Sequence, residues 1–252
     1  MIKKHLKSFE IVKMSKTIIF DSGPIISLAL NNLLWILKEL KKEYNGVFLI
    51  PESVKTELID KPFLTKKYKF EALQVMREIY NGTINIVKSS IIKEQTNKIL
   101  NIANRTFKAQ NSFIQIVQEG EIEAISAYRH LNAEALVIDE RTTRMLIEEP
   151  HQLKKLMESR LHTNIELDKE NFTKLKNILS GIKVIRSTEI ATIAYEKKIL
   201  NTLIVPEEER VYKDLKIELL ESILWGLKLS GCSISEDEIN KILRIESRMK
   251  QR

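Results

Sequence analysis

The chain has 252 residues, 43% of them hydrophobic and 30% charged, with 41 Lys and Arg against 34 Asp and Glu for a formal net charge of +7. That apolar fraction excludes a largely disordered chain, and only seven Gly and five Pro argue against an all-β protein with many tight turns. The charge excess invites a nucleic-acid reading through attraction to phosphates, but the basic residues are spread along the chain with no compact tract, so charge alone decides nothing.

Residues 1–15 read as a basic arm. No apolar run of the kind a secretory signal needs follows the opening MIKKHLKSFEIVK. Thr17-Ile-Ile-Phe20 predicts a buried strand, ended by Asp21-Ser-Gly-Pro24. Pro24 suits a first helical turn, and helix is expected over 24–44 with a break near Asn31-Asn32. Polar residues interrupt the stretch from Thr17 to Leu37 too often for a membrane span, which needs about 20 mostly apolar residues. A soluble, cytoplasmic chain is therefore expected. Val47–Ile50 predicts a second strand, followed by a helix from Pro51 to Asp60 and an amphipathic helix over 66–80. Asn81-Gly82 is a turn, and Ile84–Val87 a third strand. The polar-apolar pattern over 91–118 predicts one long helical stretch. Gly120-Glu121 opens a helix running to about Leu131. Ala135–Ile138 is a strand that stops at Asp139-Glu140, before a short helix over 141–148. Residues 150–180 are charged and helical in pattern. Lys183–Arg186 reads as a last strand, with Ser187-Thr188-Glu189 as a helix cap. The remainder is helical, broken at Pro206, at Leu229-Ser-Gly231 and at Ser233.

Strands alternating with helices imply a parallel sheet covered on both faces. Sites in such sheets lie at the carboxyl ends of strands. Asp21 ends the first strand and Asp139 the fourth, Glu121 opens the helix before that fourth strand, and Glu57 lies on the helix after the second. Each alone is read as readily as a turn, cap or surface acid. Gathered together, carboxylates repel and raise one another's pKa. Hard divalent cations reverse that cost, and Mg²⁺ and Mn²⁺ prefer oxygen ligands. A carboxylate cleft thus points to phosphodiester chemistry, in which such an ion activates water and neutralises phosphate.

The ordered stretches Ile18-Ile-Phe-Asp-Ser-Gly-Pro-Ile-Ile-Ser-Leu28, Val47-Phe-Leu-Ile-Pro-Glu-Ser-Val-Lys-Thr-Glu-Leu58, Gly120-Glu-Ile-Glu-Ala-Ile125 and Ala135-Leu-Val-Ile-Asp-Glu-Arg-Thr-Thr-Arg144 resemble the successive motifs of PIN-domain proteins. They are similar in particular to an archaeal and bacterial branch with a GExEAI helix. The resemblance covers residues 16–148 and returns at 182–198. It implies an α/β/α sandwich with a central parallel sheet, plus extra C-terminal helices. It implies a Mg²⁺- or Mn²⁺-dependent endoribonuclease of toxin-like type, with RNA as substrate. An antitoxin or other protein partner and a homodimer are further expectations it carries, and no membrane association. The alternative is a PIN-fold module that binds RNA or protein with little catalysis.

Carried over by position, the catalytic and metal-holding residues are Asp21, Glu57, Glu121 and Asp139. Ser22 is expected to hold Asp21 by a hydrogen bond. Glu123 and Glu140 are adjacent alternates, and Arg144 is a candidate for contact with the site or a phosphate. Glu121 and Glu123 point about 200° apart on a regular helix, so one ion cannot take both. Glu121 is favoured because it lies 18 positions before Asp139, the family's spacing. On this reading residues 1–15 are an arm, 16–148 the core, 149–181 a helical insertion, 182–198 the last strand and helix of the core, and 199–252 a helical extension.

Other chemistries lack support. The four histidines are scattered with no i,i+4 pair for a helical zinc site, and no glycine-rich phosphate loop occurs. Lone Cys232 excludes a disulfide framework and suits a reducing compartment. Trp35 and Trp225 read as core residues.

Overall fold

The computed structural model describes residues 16–209 and 211–249. The basic arm expected over 1–15 lies outside the described residues. The described residues open with β1 (Thr17–Phe20), α1 (Ser22–Leu30), α2 (Ile36–Tyr44) and β2 (Val47–Pro51). One irregular helix then runs through α3 (Glu52–Lys55), a π-helical turn (Thr56–Asp60) and α4 (Lys61–Leu64). Next come α5 (Lys69–Tyr80), β3 (Asn85–Val87), α6 (Ser90–Ala103), β4 (Phe107–Ala109), β5 (Ser112–Phe113), α7 (Glu119–Leu131) and β6 (Ala135–Val137). They are followed by α8 (Arg141–Glu148), α9 (Pro150–Leu161), β7 (Ile165–Leu167), α10 (Lys169–Leu179), β8 (Val184–Ile185) and α11 (Ser187–Glu196). A 3₁₀ turn (Ile199–Leu203), α12 (Pro206–Glu209), α13 (Leu215–Leu229) and α14 (Glu236–Met249) complete it.

Five strands form a parallel sheet in the order β3-β2-β1-β6-β8. The strands are apolar on both faces because helices cover both. Side chains alternate between two cores, as a pleated strand requires. Phe20, Phe48, Ile50 and Val137 pack on one side with residues of α1, α2, α11 and α13. Ile19, Leu49 and Leu136 pack on the other with α6, α7 and α10. The result is the three-layer α/β/α sandwich that the motifs imply, with extra C-terminal helices. The strand order reverses at β1: β2 lies on one flank and β6 on the other. That reversal leaves a crevice at the carboxyl ends of β1 and β6, where ligands bind in open α/β sheets.

Two helical expectations are corrected. The helix over 91–118 stops at Ala103, and β4 and β5 form a hairpin that joins β7 in a separate antiparallel sheet, β5-β4-β7. Asn104 ends the helix by turning its carboxamide across the later loop. Its Oδ1 accepts from the amides of Ile116 (2.9 Å) and Val117 (3.3 Å), and its Nδ2 donates to the Val117 carbonyl (3.2 Å). Gln110 and Asn111 both take positive φ (45° and 67°), as a two-residue hairpin turn demands. The segment expected as a helical insertion likewise contains β7, with α9 ended by His162 at φ 49°. Leu153, Met157, Ile165, Leu175 and Leu179 of that segment join the second core, so it is built into the sandwich.

The C-terminal helices also pack onto the fold. Ile223 and Leu227 of α13 enter the first core, while Leu220, Leu224, Ile234 and Ile239 form a smaller cluster between α13 and α14. Trp35 and Trp225 are half-buried against these clusters. At the α1–α13 contact the Asn31 amide donates to the Ser27 carbonyl (2.8 Å) and Ser230 Oγ (2.9 Å). A Cβ on Gly226 would stand 2.2 Å from Asn31 Oδ1. Replacing a helical glycine by alanine ordinarily stabilises by about 1 kcal/mol. Here Gly226→Ala is expected to destabilise by about 1–3 kcal/mol, read by urea unfolding, with Asn31→Ala relieving most of the penalty in the double variant. A Gly226→Ala protein as stable as the parent would refute this account of the contact.

Candidate active site

The crevice at the reversal is a cleft of about 260 Å³ lined by Asp21, Glu57, Glu121, Asp139 and Glu140, with Ser22, Gly23, Gln118 and Gly231. The fold thus brings together all four acids singled out in the sequence. None of the lining residues is basic. Asp21 and Asp139 are 4% and 2% exposed, respectively.

Each carboxylate is placed by a separate local device. Asp21 caps α1, accepting from the Gly23 amide at 3.4 Å, and its own amide donates to the Val137 carbonyl at 3.0 Å, locking the end of β1 to β6. Glu57 sits on the π-helical turn, where the Lys61 amide reaches the Thr56 carbonyl. Pro62 accounts for this wider turn, since in a regular helix its ring clashes with the carbonyl four residues back. Gly120 lets Glu57 approach: a Cβ there would stand 3.0 Å from Glu57 Oε1. Glu121 turns back to accept from the Gln118 amide at 2.8 Å, closing a capping box on α7.

Asp139 is gripped by Ser187, which the sequence pattern marks only as part of a helix cap. The Ser187 amide donates to Asp139 Oδ1 and the Ser187 hydroxyl to Oδ2, both at 2.8 Å. Ser187 is the first residue of α11, so the positive end of that helix faces the carboxylate. The only sequence signal for this was a serine at a helix start after the last strand.

The supporting residues divide. Ser22 serves Asp21 through its backbone amide, while its hydroxyl donates to Glu57 Oε2 at 2.9 Å, because α1 begins at Ser22 and turns that side chain across the cleft. Glu123 points away from Glu121, as helical spacing requires, and accepts from the Ser53 amide at 2.8 Å; it anchors α3 to α7 outside the cleft. Glu140 lines the cleft and also caps α8 through the Thr143 amide at 2.6 Å. Arg144 does not reach the acids. Its Nη2 donates to the Ser233 carbonyl at 3.0 Å, and Arg186 Nη1 donates to the same oxygen at 3.2 Å. The Ser233 amide in turn donates to the Asp139 carbonyl at 3.2 Å. The loop between α13 and α14 therefore closes one side of the site, with Gly231 in the wall. Buried Cys232 lies beside it, its thiol pushed up to about 11 by burial and the Asp139 charge.

The electrostatics are those of crowded acids. Burial, then the charges of Glu121 and Glu57, push Asp21 up to about 7. Burial pushes Glu121 up to about 7, with the Glu140 and Glu57 charges adding and the Gln118 amide and Thr143 hydroxyl opposing. Lys61 Nζ stands 3.8 Å from Glu57 Oε1 but is largely exposed, so it offsets little. Among the described residues no three His, Cys, Asp or Glu side chains are placed as around a single ion. The donor set nonetheless suits a hard divalent cation: several carboxylates with only the exposed Lys61 beside them, two of them pushed up to about 7, are what such an ion relieves.

A family model described as a PIN domain matches residues 17–154. No curated protein and no solved structure matches the chain. Among the described residues no helix is long and apolar enough to cross a membrane.

The raised acids set a pH dependence. The folded protein holds protons on Asp21 and Glu121 that the unfolded chain releases above their ordinary values of 3.8 and 4.5. Stability from this source is therefore fully present below those values and lost as pH rises through about 7. Without divalent cations, Tm should fall between about pH 5 and pH 8, and Asp21→Asn should flatten that fall. Mn²⁺ should raise Tm more at the higher pH. Equal Mn²⁺ effects at both pH values would count against this electrostatic account.

Proposed function

The chain belongs to the PIN-domain family, and from that premise we propose that it is a Mg²⁺- or Mn²⁺-dependent nuclease that hydrolyses RNA in the acid cleft. Members of this family are generally nucleases, and the fold is of that nuclease type. One observation carries the reading furthest: Asp21, Glu57, Glu121 and Asp139, separated by up to 118 positions in the chain, line one cleft that contains no basic residue. A core serving only as a scaffold gains nothing from burying acids together, because each raises the cost of ionising the next.

In this reading the four carboxylates hold the ion. The chemistry such a cation supplies is neutralisation of phosphate charge and polarisation of water. The chain's own part is placement. Ser22 orients Glu57, the Gln118 amide orients Glu121, and Ser187 orients Asp139. The 13–14 helix loop covers the Asp139 side through Ser233. The ionised carboxylates of the cleft repel phosphate until a cation offsets their charge, which links substrate approach to metal loading.

A second reading, a PIN-fold module that binds without cleaving, is favoured by one observation: among the described residues no three His, Cys, Asp or Glu side chains are placed as around a single ion. Mn²⁺-dependent cleavage of a mixed RNA separates the two. The parent protein should cleave, and Asp21→Asn with Asp139→Asn should lower the rate by at least about a hundredfold. Equal cleavage by both would remove the assigned site, and RNA binding with no metal-stimulated cleavage would favour the second reading. Orientation has its own check. Ser187→Ala should weaken Mn²⁺ binding by roughly tenfold in calorimetric titration, and Ser187→Thr, which keeps the hydroxyl, should restore most of it.

A further inference from the structure

Residues 61–70, Lys-Pro-Phe-Leu-Thr-Lys-Lys-Tyr-Lys-Phe, contain four lysines, three aromatic rings and no acid. In the sequence apolar and aromatic residues break these lysines up, so they do not form an unbroken basic run. In the fold, α4 and its link to α5 leave almost all of them outside. Lys61, Lys66, Lys67 and Lys69 are exposed, as are Phe63 (42%), Leu64 (87%) and Phe70 (70%). The stripe continues along α5, where Phe70, Leu73, Arg77 and Tyr80 recur at helical spacing and are all exposed. Lys67 Nζ stands over the Tyr68 ring at 4.5 Å. The strip begins at the acid cleft, because Lys61 Nζ lies 3.8 Å from Glu57 Oε1 and α4 continues directly from the turn that carries Glu57.

A contiguous exposed apolar surface marks a binding face. Its chemistry selects the occupant. A second copy of a protein surface, or an apolar partner helix, has no use for four like-charged lysines in ten residues. Cations interleaved with flat rings suit a polyanion whose bases are free to stack. In a duplex those faces are already stacked on each other, so single strands are favoured.

We propose that this strip is the platform on which single-stranded RNA lies as it approaches the acid cleft. Bases stack on Phe63, Phe70 and Tyr80, while Lys66, Lys67 and Lys69 pair with phosphates. The destination of the strand rests on the nuclease reading; the binding itself does not.

Fluorescence anisotropy tests it with labelled oligouridine of about 20 nucleotides and with duplex RNA of equal length. The full-length protein is used in EDTA, so that binding is read without metal-dependent cleavage. The parent should prefer the single strand. Phe70→Ala should weaken that binding by roughly tenfold. Lys66→Ala with Lys67→Ala should weaken it and lower the salt slope by about 1.4, two phosphate contacts for a single strand. All these side chains are exposed, so circular dichroism and Tm should stay at parental values. Single-strand affinity unchanged in both variants overturns the proposal. If those variants then still cleave RNA with Mn²⁺, the nuclease reading stands alone. If they instead convert a dimer to a monomer in light scattering, with RNA affinity intact, the strip is an interface between copies and the proposal fails. Loss of binding in the strip variants but not in Asp21→Asn supports the platform even where no cleavage is seen.

Discussion

Carboxylates do not gather in a protein interior unless the fold compels them. Here Asp21 and Asp139 are almost fully buried beside Glu57 and Glu121, and Asp21 and Glu121 are driven toward neutral pKa. That repulsion is the constraint around which the rest is arranged. The strand reversal at β1 supplies the crevice. The hydrogen bonds from Gly23, Ser22, Gln118 and Ser187 fix each acid with a neutral donor. No lysine or arginine is spent in the cleft to neutralise them. The charge is left for something that enters from outside, which is the physical basis for expecting a cation.

The segments beyond the compact core take on a role in the same terms. The loop after α13 presents the Ser233 amide to the backbone of Asp139 and its carbonyl to Arg144 and Arg186. Arg186 also pairs with Glu189 and with Glu238 of α14. The tail helices are thereby tied to the residue next to Ser187, which holds Asp139. The net positive charge lies elsewhere. One acid-free stretch with four lysines, Lys61–Phe70, starts at the wall of the acid cleft. Acid within and base beside it is a distribution suited to phosphate chains, and the overall value of +7 conceals it.

Much of this was legible from residues alone, for identifiable reasons. Short β-branched runs ended by Asp gave the strands and their acids, because a buried strand must stop where a charge begins. Helical phase sets Glu121 and Glu123 on different faces, and in the fold Glu121 lines the cleft while Glu123 accepts from the Ser53 amide. The reading failed where a distant side chain overrode local periodicity. Asn104 ends α6 by bonding to residues 12 and 13 positions away, and Gln110-Asn111 turns a hairpin without a glycine. Neither leaves a trace in a pattern of apolar spacing.

The sequence by itself determined the alternation of strands and helices, the family, and the identity of the acids at strand ends, since these follow from local composition and ordered motifs. Only the tertiary structure decided which groups serve those acids. The Ser22 hydroxyl crosses to Glu57, Ser187 reaches Asp139 from 48 positions away, and Gly120 makes room for Glu57. Arg144 holds the tail instead of the site. A hydrogen bond depends on distance and direction in space, and chain order carries neither across a parallel sheet whose strands meet only after long crossovers.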